Sequence, residues 1–85
     1  MPRITQKDIE FLANRINDKS NSPHKPWEDG NANIGCYHIS YAYGGAALHR
    51  MSNEHGGVRD IFGHHMPKKE LYNRMQAYLS GLYDA

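Results

Sequence analysis

Apolar residues near the start of the chain recur at helical spacing. They are three or four positions apart, so they fall on one face of an α-helix, and they are Ile9, Leu12, Ala13 and Ile16. Thr5 precedes this stripe and Asp8 follows Thr5 by three positions, a spacing that favours a capping box with Asp in place of Glu. The pattern predicts a helix from Gln6 to Asn17.

A second apolar stripe lies near the end of the chain. Its members are Leu71, Met75, Tyr78, Leu79 and Leu82. Pro67 suits the first helical position, and Glu70 suits the first turn, where the helix dipole favours negative charge. The pattern predicts a helix from Pro67 to Leu82, with Gly81 as its end signal.

The segment "GCYHISYAYGG" between the two stripes is typical of a β-hairpin. Its Ile, Tyr and Ser residues between glycines predict a strand over Ile34–Tyr43, a turn at Gly44–Gly45 and a second strand over Ala46–Met51. In this register Tyr41 lies opposite Leu48.

Alternation along the strands divides this hairpin into two sides. One side is the candidate for the core and carries Tyr37, Ile39, Tyr41, Tyr43, Ala46 and Leu48. The other side is expected to face solvent and carries Cys36, His38, Ser40, Ala42, Ala47, His49 and Met51. A shift of one residue in the turn would exchange the two sides, so the pattern leaves the choice open.

These elements predict one α+β domain over residues 1–85. Two helices pack on a small antiparallel β-hairpin or three-stranded sheet, in the order α-β-(β)-β-α. The additional strand would lie near Pro26 in an otherwise loop-like segment, and Trp27 is expected to fold back onto the core. The pair Gly56–Gly57 indicates a second reversal. The segment after this reversal is expected to be helical or irregular, with the side chains of Val58, Ile61 and Phe62 directed into the core.

The amino-acid composition indicates the cellular compartment and limits the class of binding partner. The chain has 85 residues, one cysteine and a formal net charge of +1. The single Cys36 excludes an intrachain disulfide and favours a reducing compartment. The opening residues contain no stretch typical of a signal peptide, and no apolar run approaches the roughly 20 residues that span a bilayer. We therefore expect a cytoplasmic protein, and the small net charge does not favour sequence-independent nucleic-acid binding.

The histidine side of the hairpin raises the question of metal binding or catalysis. Cys36 and His38 are two positions apart, and His49 would lie diagonally across from His38. These residues could hold zinc, with His24, His55, His64 or His65 as a fourth ligand. They could also supply a nucleophile and a base, as could Ser40 opposite His49. However, no CxxC or HExxH spacing is present, and nothing indicates an oxyanion hole or a third orienting acid. We therefore expect no metal, no cofactor and no enzymatic activity.

Two binding functions remain. The element order resembles that of a double-stranded-RNA-binding domain, in which Lys68 and Lys69 at the start of the last helix would meet phosphates. Rings that could stack on bases are Tyr37, Tyr41 and Tyr43. Alternatively, the protein presents an aromatic patch to a partner protein, since interfaces favour Tyr, Trp and Met. This patch would contain Trp27, Cys36, His38, His49 and Met51.

The second half of the chain contains "YGG" followed by "LHRMSN", a further "GG" and a closing "KELY" helix that ends in "GL". This pattern resembles a group of small accessory proteins of tailed bacteriophages, and the resemblance extends from Ile4 to Leu82. It implies an accessory protein made in the cytoplasm of an infected bacterial host. Phage proteins of this size often bind and inhibit a host or defence protein, so the resemblance favours a non-catalytic protein-binding module. A homodimer formed by pairing hairpin edges also stays open.

Overall fold

The computed structural model describes residues 3–84 of the chain. Within these residues it has two helices and five short strands. In chain order they are α1 (Gln6–Lys19), β1 (Trp27–Glu28), β2 (Asn31–Ala32), β3 (Tyr37–Ala42), β4 (Gly45–Met51), β5 (Val58–Asp60) and α2 (Lys68–Asp84). The strands form a β1-β2 hairpin and a three-stranded antiparallel sheet in the order β3-β4-β5, which we call the main sheet. The predicted α+β class, with a helix at each end, is confirmed.

The capping box predicted at the start of α1 is present. The Asp8 N–H donates to the Thr5 hydroxyl at 3.4 Å, and the Thr5 N–H donates to an Asp8 carboxylate oxygen at 2.8 Å. The helix ends at Lys19, slightly later than predicted, where the Ser20 hydroxyl donates to the Ile16 carbonyl at 2.7 Å. Side-chain capping at both ends therefore satisfies backbone groups that a helix otherwise leaves unpaired.

The second helix, α2, begins immediately after Pro67 and continues to Asp84. The expected end at Gly81 is wrong, because Gly81 lies inside the helix and does not have a positive φ. Leu82 still packs against the core, so the apolar stripe continues past the glycine.

The two helices lie side by side and point in the same direction. Near their starts, Ile4 and Lys68 line one surface depression. Near their ends, the Arg15 guanidinium donates to the Tyr83 hydroxyl at 2.9 Å, and the Lys19 ammonium lies 4.7 Å from the centre of the Tyr83 ring. Both helix N-termini consequently lie at the same end of the molecule.

The main hairpin turns one residue earlier than predicted. Tyr43 and Gly44 form the loop between the paired residues Ala42 and Gly45. Both loop residues have positive φ, 56° and 74°, as a type I′ turn requires. This turn matches the twist of the strands, which explains why a tyrosine occupies a conformation that usually favours glycine.

The shifted turn preserves the two sides of the hairpin. Tyr41 pairs with Ala46 rather than with Leu48, so each partner moves by two positions and the alternation is unchanged. The side predicted for the core faces the helices, although Tyr41 and Tyr43 are exposed. The buried core residues are Ile9, Leu12, Ala13, Ile16, Tyr37, Ala46, Leu48, Met66, Leu71, Met75 and Leu79.

Two segments differ from their predictions. Val58 belongs to β5 and is exposed, because its pairing with Met51 places it on the side away from the helices. Ile61 and Phe62 do pack against the core. The segment around Trp27 forms its own small hairpin, so the third strand of the main sheet follows the predicted hairpin instead of preceding it.

A buried polar contact joins α1 to the edge of the main sheet. Asn17 is completely buried, and its Oδ1 accepts from the Tyr37 N–H at 2.7 Å while its Nδ2 donates to the Tyr37 carbonyl at 3.0 Å. In this register the Tyr37 backbone groups point away from β4. The Asn17 amide therefore takes the place that a neighbouring strand would occupy.

Candidate functional site

The side of the main sheet away from the helices, which we call the back side, carries the side chains predicted for the histidine side. His38 pairs with His49, and the Met51 N–H donates to the Cys36 carbonyl at 2.9 Å. The structure thus brings together four of the five residues predicted for protein binding. Trp27 lies apart from them, on the β1-β2 hairpin.

Two of these four residues are not accessible to a partner. Cys36 and Met51 are buried and cluster with Ala32 of β2. The expectation that they face solvent is wrong, because the β1-β2 hairpin covers this end of the back side. Burial raises the pKa of the Cys36 thiol, and the Asn17 amide, 3.9 Å from Sγ, acts in the opposite direction. The thiol is therefore protonated at neutral pH and is a poor nucleophile.

Three imidazoles form a row across the middle of the back side. The ring centroids of His38 and His49 are 5.8 Å apart, as are those of His49 and His65, and both pairs meet edge to face. We call His38, His49 and His65 the imidazole row. His65 comes from the loop between β5 and α2, and its Nε2 lies 3.1 Å from the Ser40 hydroxyl. From the sequence, His65 is only one of four histidines that could complete a metal site, because no periodic pattern shows where a loop side chain points.

The surroundings of His38 and His49 differ. The Nδ1 atom of His38 is buried and has no hydrogen-bond partner among residues 3–84. Burial is the main cause that lowers the pKa of His38; a contact with the Cys36 backbone acts against it, and the neighbouring His49 adds to the lowering. His49, in contrast, has its Nε2 atom 3.6 Å from a carboxylate oxygen of Asp60.

The imidazole row lacks the geometry of a metal centre or a catalytic triad. In the described part of the chain, no group of three or more His, Cys, Asp or Glu side chains is placed to hold a metal ion. Ser40 contacts His65 rather than the predicted His49, and no carboxylate of residues 3–84 forms a hydrogen bond or ion pair with His65. A hydroxyl and an imidazole without an orienting third group are a weak nucleophilic pair.

Trp27, the one tryptophan of the chain, packs on a neighbouring loop but stays exposed to solvent. Trp27 is 51% exposed, so the expectation that it folds back onto the core is wrong. Its ring lies on Gly56, where an added Cβ atom would come within 2.7 Å of Trp27 Cη2. Gly56 also has a φ of 95°, a conformation that favours glycine. Gly56 therefore both permits the turn and leaves room for the indole.

Two further exposed apolar side chains lie beside Met51. Ile34 is 61% exposed and lines a depression with Met51, while Val58 is 43% exposed and pairs with Met51. Ala32, the strand partner of Trp27, packs on Met51 from the other hairpin. We call Trp27, Ile34 and Val58 the tryptophan surface. The residues around it carry both signs of charge: Glu28, Asp29, Arg50, Glu54 and Arg59.

The structure separates the three tyrosines predicted to stack on bases. Tyr37 is buried, and its ring packs edge to face on Tyr78 at 5.8 Å, so it is unavailable for stacking. Burial, together with the hydrogen bond to Tyr78, raises the pKa of Tyr37 to about 12. Tyr41 is partly exposed, and its hydroxyl donates to Glu10 at 2.7 Å. Tyr43, at the turn, is 96% exposed.

The predicted lysines lie beside this turn. Lys68 and Lys69 line a depression of about 470 Å³ together with Arg3 and Gly44, and no carboxylate of the described chain lines it. We call Arg3, Lys68 and Lys69 the basic end. Because β3 is six residues long, the basic end and the tryptophan surface lie at opposite ends of a strand of about 20 Å.

Comparison with known proteins finds no matching family model, no similar curated protein and no similar solved structure. The resemblance to tailed-phage accessory proteins therefore stays a prediction. No helix within residues 3–84 is long and apolar enough to cross a membrane.

Three features consequently stand out on the described surface. The tryptophan surface and the basic end are accessible and chemically different. Between them, the imidazole row is half-buried on the back side. Of the residues predicted from sequence, Trp27 lies on the tryptophan surface, and Lys68 and Lys69 lie on the basic end.

Proposed function

We propose that the protein is a non-catalytic protein-binding module and that the tryptophan surface is its contact area. The main observation behind the proposal is the position of Trp27. Its side chain is half exposed, and its ring packs on Gly56, which has no side chain that would displace it. Exposed tryptophans held in position are frequent binding hot spots. A positioned ring also loses less conformational entropy on binding than a free one.

The charges around the tryptophan surface favour a protein partner over a nucleic acid. Glu28, Asp29 and Glu54 would repel phosphates. Arg50 is already engaged, because its Nε donates to the Gly35 carbonyl at 3.0 Å and its guanidinium lies 4.6 Å from the centre of the Tyr37 ring. An apolar centre with a rim of mixed charge is the usual composition of a protein interface.

The resemblance to phage proteins supports a narrower form of this proposal. In that form, the partner is a host or defence protein in the cytoplasm of an infected bacterium, and binding modulates or inhibits it. A second copy of the chain is another candidate partner, and size-exclusion chromatography of the purified protein over a range of concentrations distinguishes the two.

Replacing Trp27 with Ala should abolish capture of the partner from bacterial extracts. A hot-spot tryptophan contributes about 2 kcal/mol or more, so Kd for the purified partner should rise by roughly 30-fold. Binding to the unaltered protein should also shift the emission of Trp27, since it is the one tryptophan present. The measurement is a fluorescence titration followed by calorimetry.

Phe11→Ala supplies the matched control. Phe11 is 61% exposed, comparable with Trp27, but lies on α1 and lines a depression with Tyr83 that no residue of the tryptophan surface lines. We expect Phe11→Ala to retain the partner. Equal capture by the two variants would contradict the proposed contact area.

A second candidate function, nucleic-acid binding, is favoured by the basic end. Arg3, Lys68 and Lys69 meet there with two helix N-termini, beside Gly44 of the turn. Helix N-termini and lysines favour phosphates. The neighbouring Tyr43 ring is exposed but packs edge to face on His65 at 5.6 Å, so stacking on a base would require this ring to move. The order of α1, the main sheet and α2 is also that of a double-stranded-RNA-binding domain.

Changing Lys68 and Lys69 to Glu together tests this alternative. If the basic end contacts phosphates, the double variant should bind duplex RNA or DNA more weakly, and the slope of log affinity against log salt should fall by about two. The measurement is an electrophoretic shift at several salt concentrations. Lys19→Glu with Lys25→Glu makes the same change of net charge elsewhere and should have little effect. If the unaltered protein gives no salt-sensitive shift, this function is eliminated.

A further inference from the structure

The imidazole row belongs to neither proposed binding surface, yet it holds a loop in place. The segment 61–66 leaves β5 and returns to β4: the Ile61 N–H donates to the Leu48 carbonyl at 2.9 Å, and Met66 exchanges two hydrogen bonds with Ala46. Between these attachments, His65 reaches back over the sheet. Its Nε2 contacts the Ser40 hydroxyl, and its ring packs on His49.

The charged groups around the row are few. His49 has Asp60 at 3.6 Å, but the other oxygen of Asp60 already accepts from the N–H groups of Phe62 and Gly63 at 3.3 Å and 3.0 Å. His65 faces the neutral groups of Ser40 and Tyr43 in addition to His49.

His38 faces His49 on one side and a depression on the other. Besides His38, three titratable groups line this depression: Glu10 of α1, His24 of the following loop and Tyr37. The protonated Cys36 thiol lies two positions before His38. Glu10 accepts a hydrogen bond from Tyr41, His24 lies 2.6 Å from Asp18, and the raised pKa of Tyr37 keeps its hydroxyl neutral. The one carboxylate that lines the depression is therefore already engaged.

The distances in the row accommodate one positive charge better than two. The negative carboxylate of Asp60 would stabilise a proton on His49. A second proton on either neighbouring ring would lie only 5.8 Å from the first, in a half-buried setting where charges repel strongly.

We propose that the imidazole row is an acid-sensitive clasp, in which a second proton separates His65 from Ser40 and His49 and releases segment 61–66 from the back side. The helices and their core remain folded. Release would uncover the back side of β3 and β4, which His65 covers in the closed form.

The sign of the pH dependence follows from the ring distances. Two protonated imidazoles 5.8 Å apart repel each other in the closed row but can move apart in the open form, so the open form takes up the second proton more readily. The lowered pKa of His38, caused mainly by burial and increased by His49, has the same sign. Closure is therefore stable at neutral pH and weakens as the pH falls through the range in which imidazoles take up protons.

Amide hydrogen exchange of the full chain tests the clasp. Amides in residues 61–66 should exchange about tenfold faster near pH 5 than near pH 7, after correction for intrinsic rates and relative to amides in α2. His65→Gln should remove this dependence, because a glutamine amide can keep the hydrogen bond to Ser40 but cannot take up a proton. His55→Gln, at a side chain that is 85% exposed, should retain it.

The outcomes are distinct. Uniform acceleration across the whole chain, or loss of the dependence in His55→Gln as well, would overturn the clasp. If His65→Gln does not fold, an NMR titration of the unaltered protein decides: the clasp requires the exchange midpoint to coincide with proton uptake by an imidazole of the row, and a midpoint unrelated to all three would refute it.

Discussion

Replacing Asn17 with Ala should destabilise the protein by about 2–4 kcal/mol, because two buried backbone groups lose their partners at once. The Asn17 amide pairs with both the N–H and the carbonyl of Tyr37, and both residues are buried. Water cannot replace these bonds without opening the contact between α1 and β3. For a domain of this size the melting temperature should fall by about 10 °C or more, measured by calorimetry or circular dichroism.

Two variants identify the cause. Asn14→Ala changes the same residue type at an exposed position of the same helix and should alter stability by less than about 0.5 kcal/mol. Asn17→Leu restores most of the volume but neither hydrogen bond, and it should remain strongly destabilised. A Leu variant as stable as the unaltered protein would show that Asn17 acts through its volume alone.

Replacing Gly45 with Ala should cost about 1–3 kcal/mol, although Gly45 is not a loop residue of the turn. Its added Cβ atom would lie 2.7 Å from the carbonyl oxygen of Met66, a contact with backbone that cannot rotate away. Relief requires separation of β4 from the segment before α2. The effect is measured as the free energy of unfolding in urea.

Gly81→Ala is the matched control for this substitution. Gly81 lies inside α2, and an added Cβ atom would have no neighbour within 4 Å. Alanine there should stabilise the protein by about 0.5–1 kcal/mol, since glycine is unfavourable within a helix. Opposite signs for the two variants are expected. Equal small effects would mean that the approach of β4 to Met66 is not tight in solution.

The helices and the two sides of the hairpin could be predicted because they depend on local periodicity. The capping residues Thr5 and Asp8, three positions apart, identify the start of α1. The apolar stripes identify the faces of α1 and α2 that pack on the core. Residues were assigned to the correct sides of the hairpin although the turn was predicted one residue too late. This error moved each strand partner by two positions, which leaves the alternation unchanged.

Contacts between distant segments could not be predicted from periodicity. Gly45 is needed for its approach to Met66, not for the turn, whereas Tyr43 takes the positive φ that was assigned to a glycine. The burial of Cys36 depends on Ala32, which belongs to a hairpin of two-residue strands without a periodic signal. The exposure of Trp27 depends on Gly56 in another loop.

The shared direction of α1 and α2 aligns their dipoles along the molecule. Neighbouring antiparallel helices largely cancel their dipoles, but these two add, and Arg3, Lys68 and Lys69 reinforce the positive end. The formal net charge of +1 hides this asymmetry. In the field of a charged partner, the aligned dipoles and the basic end would favour one orientation of the molecule before contact.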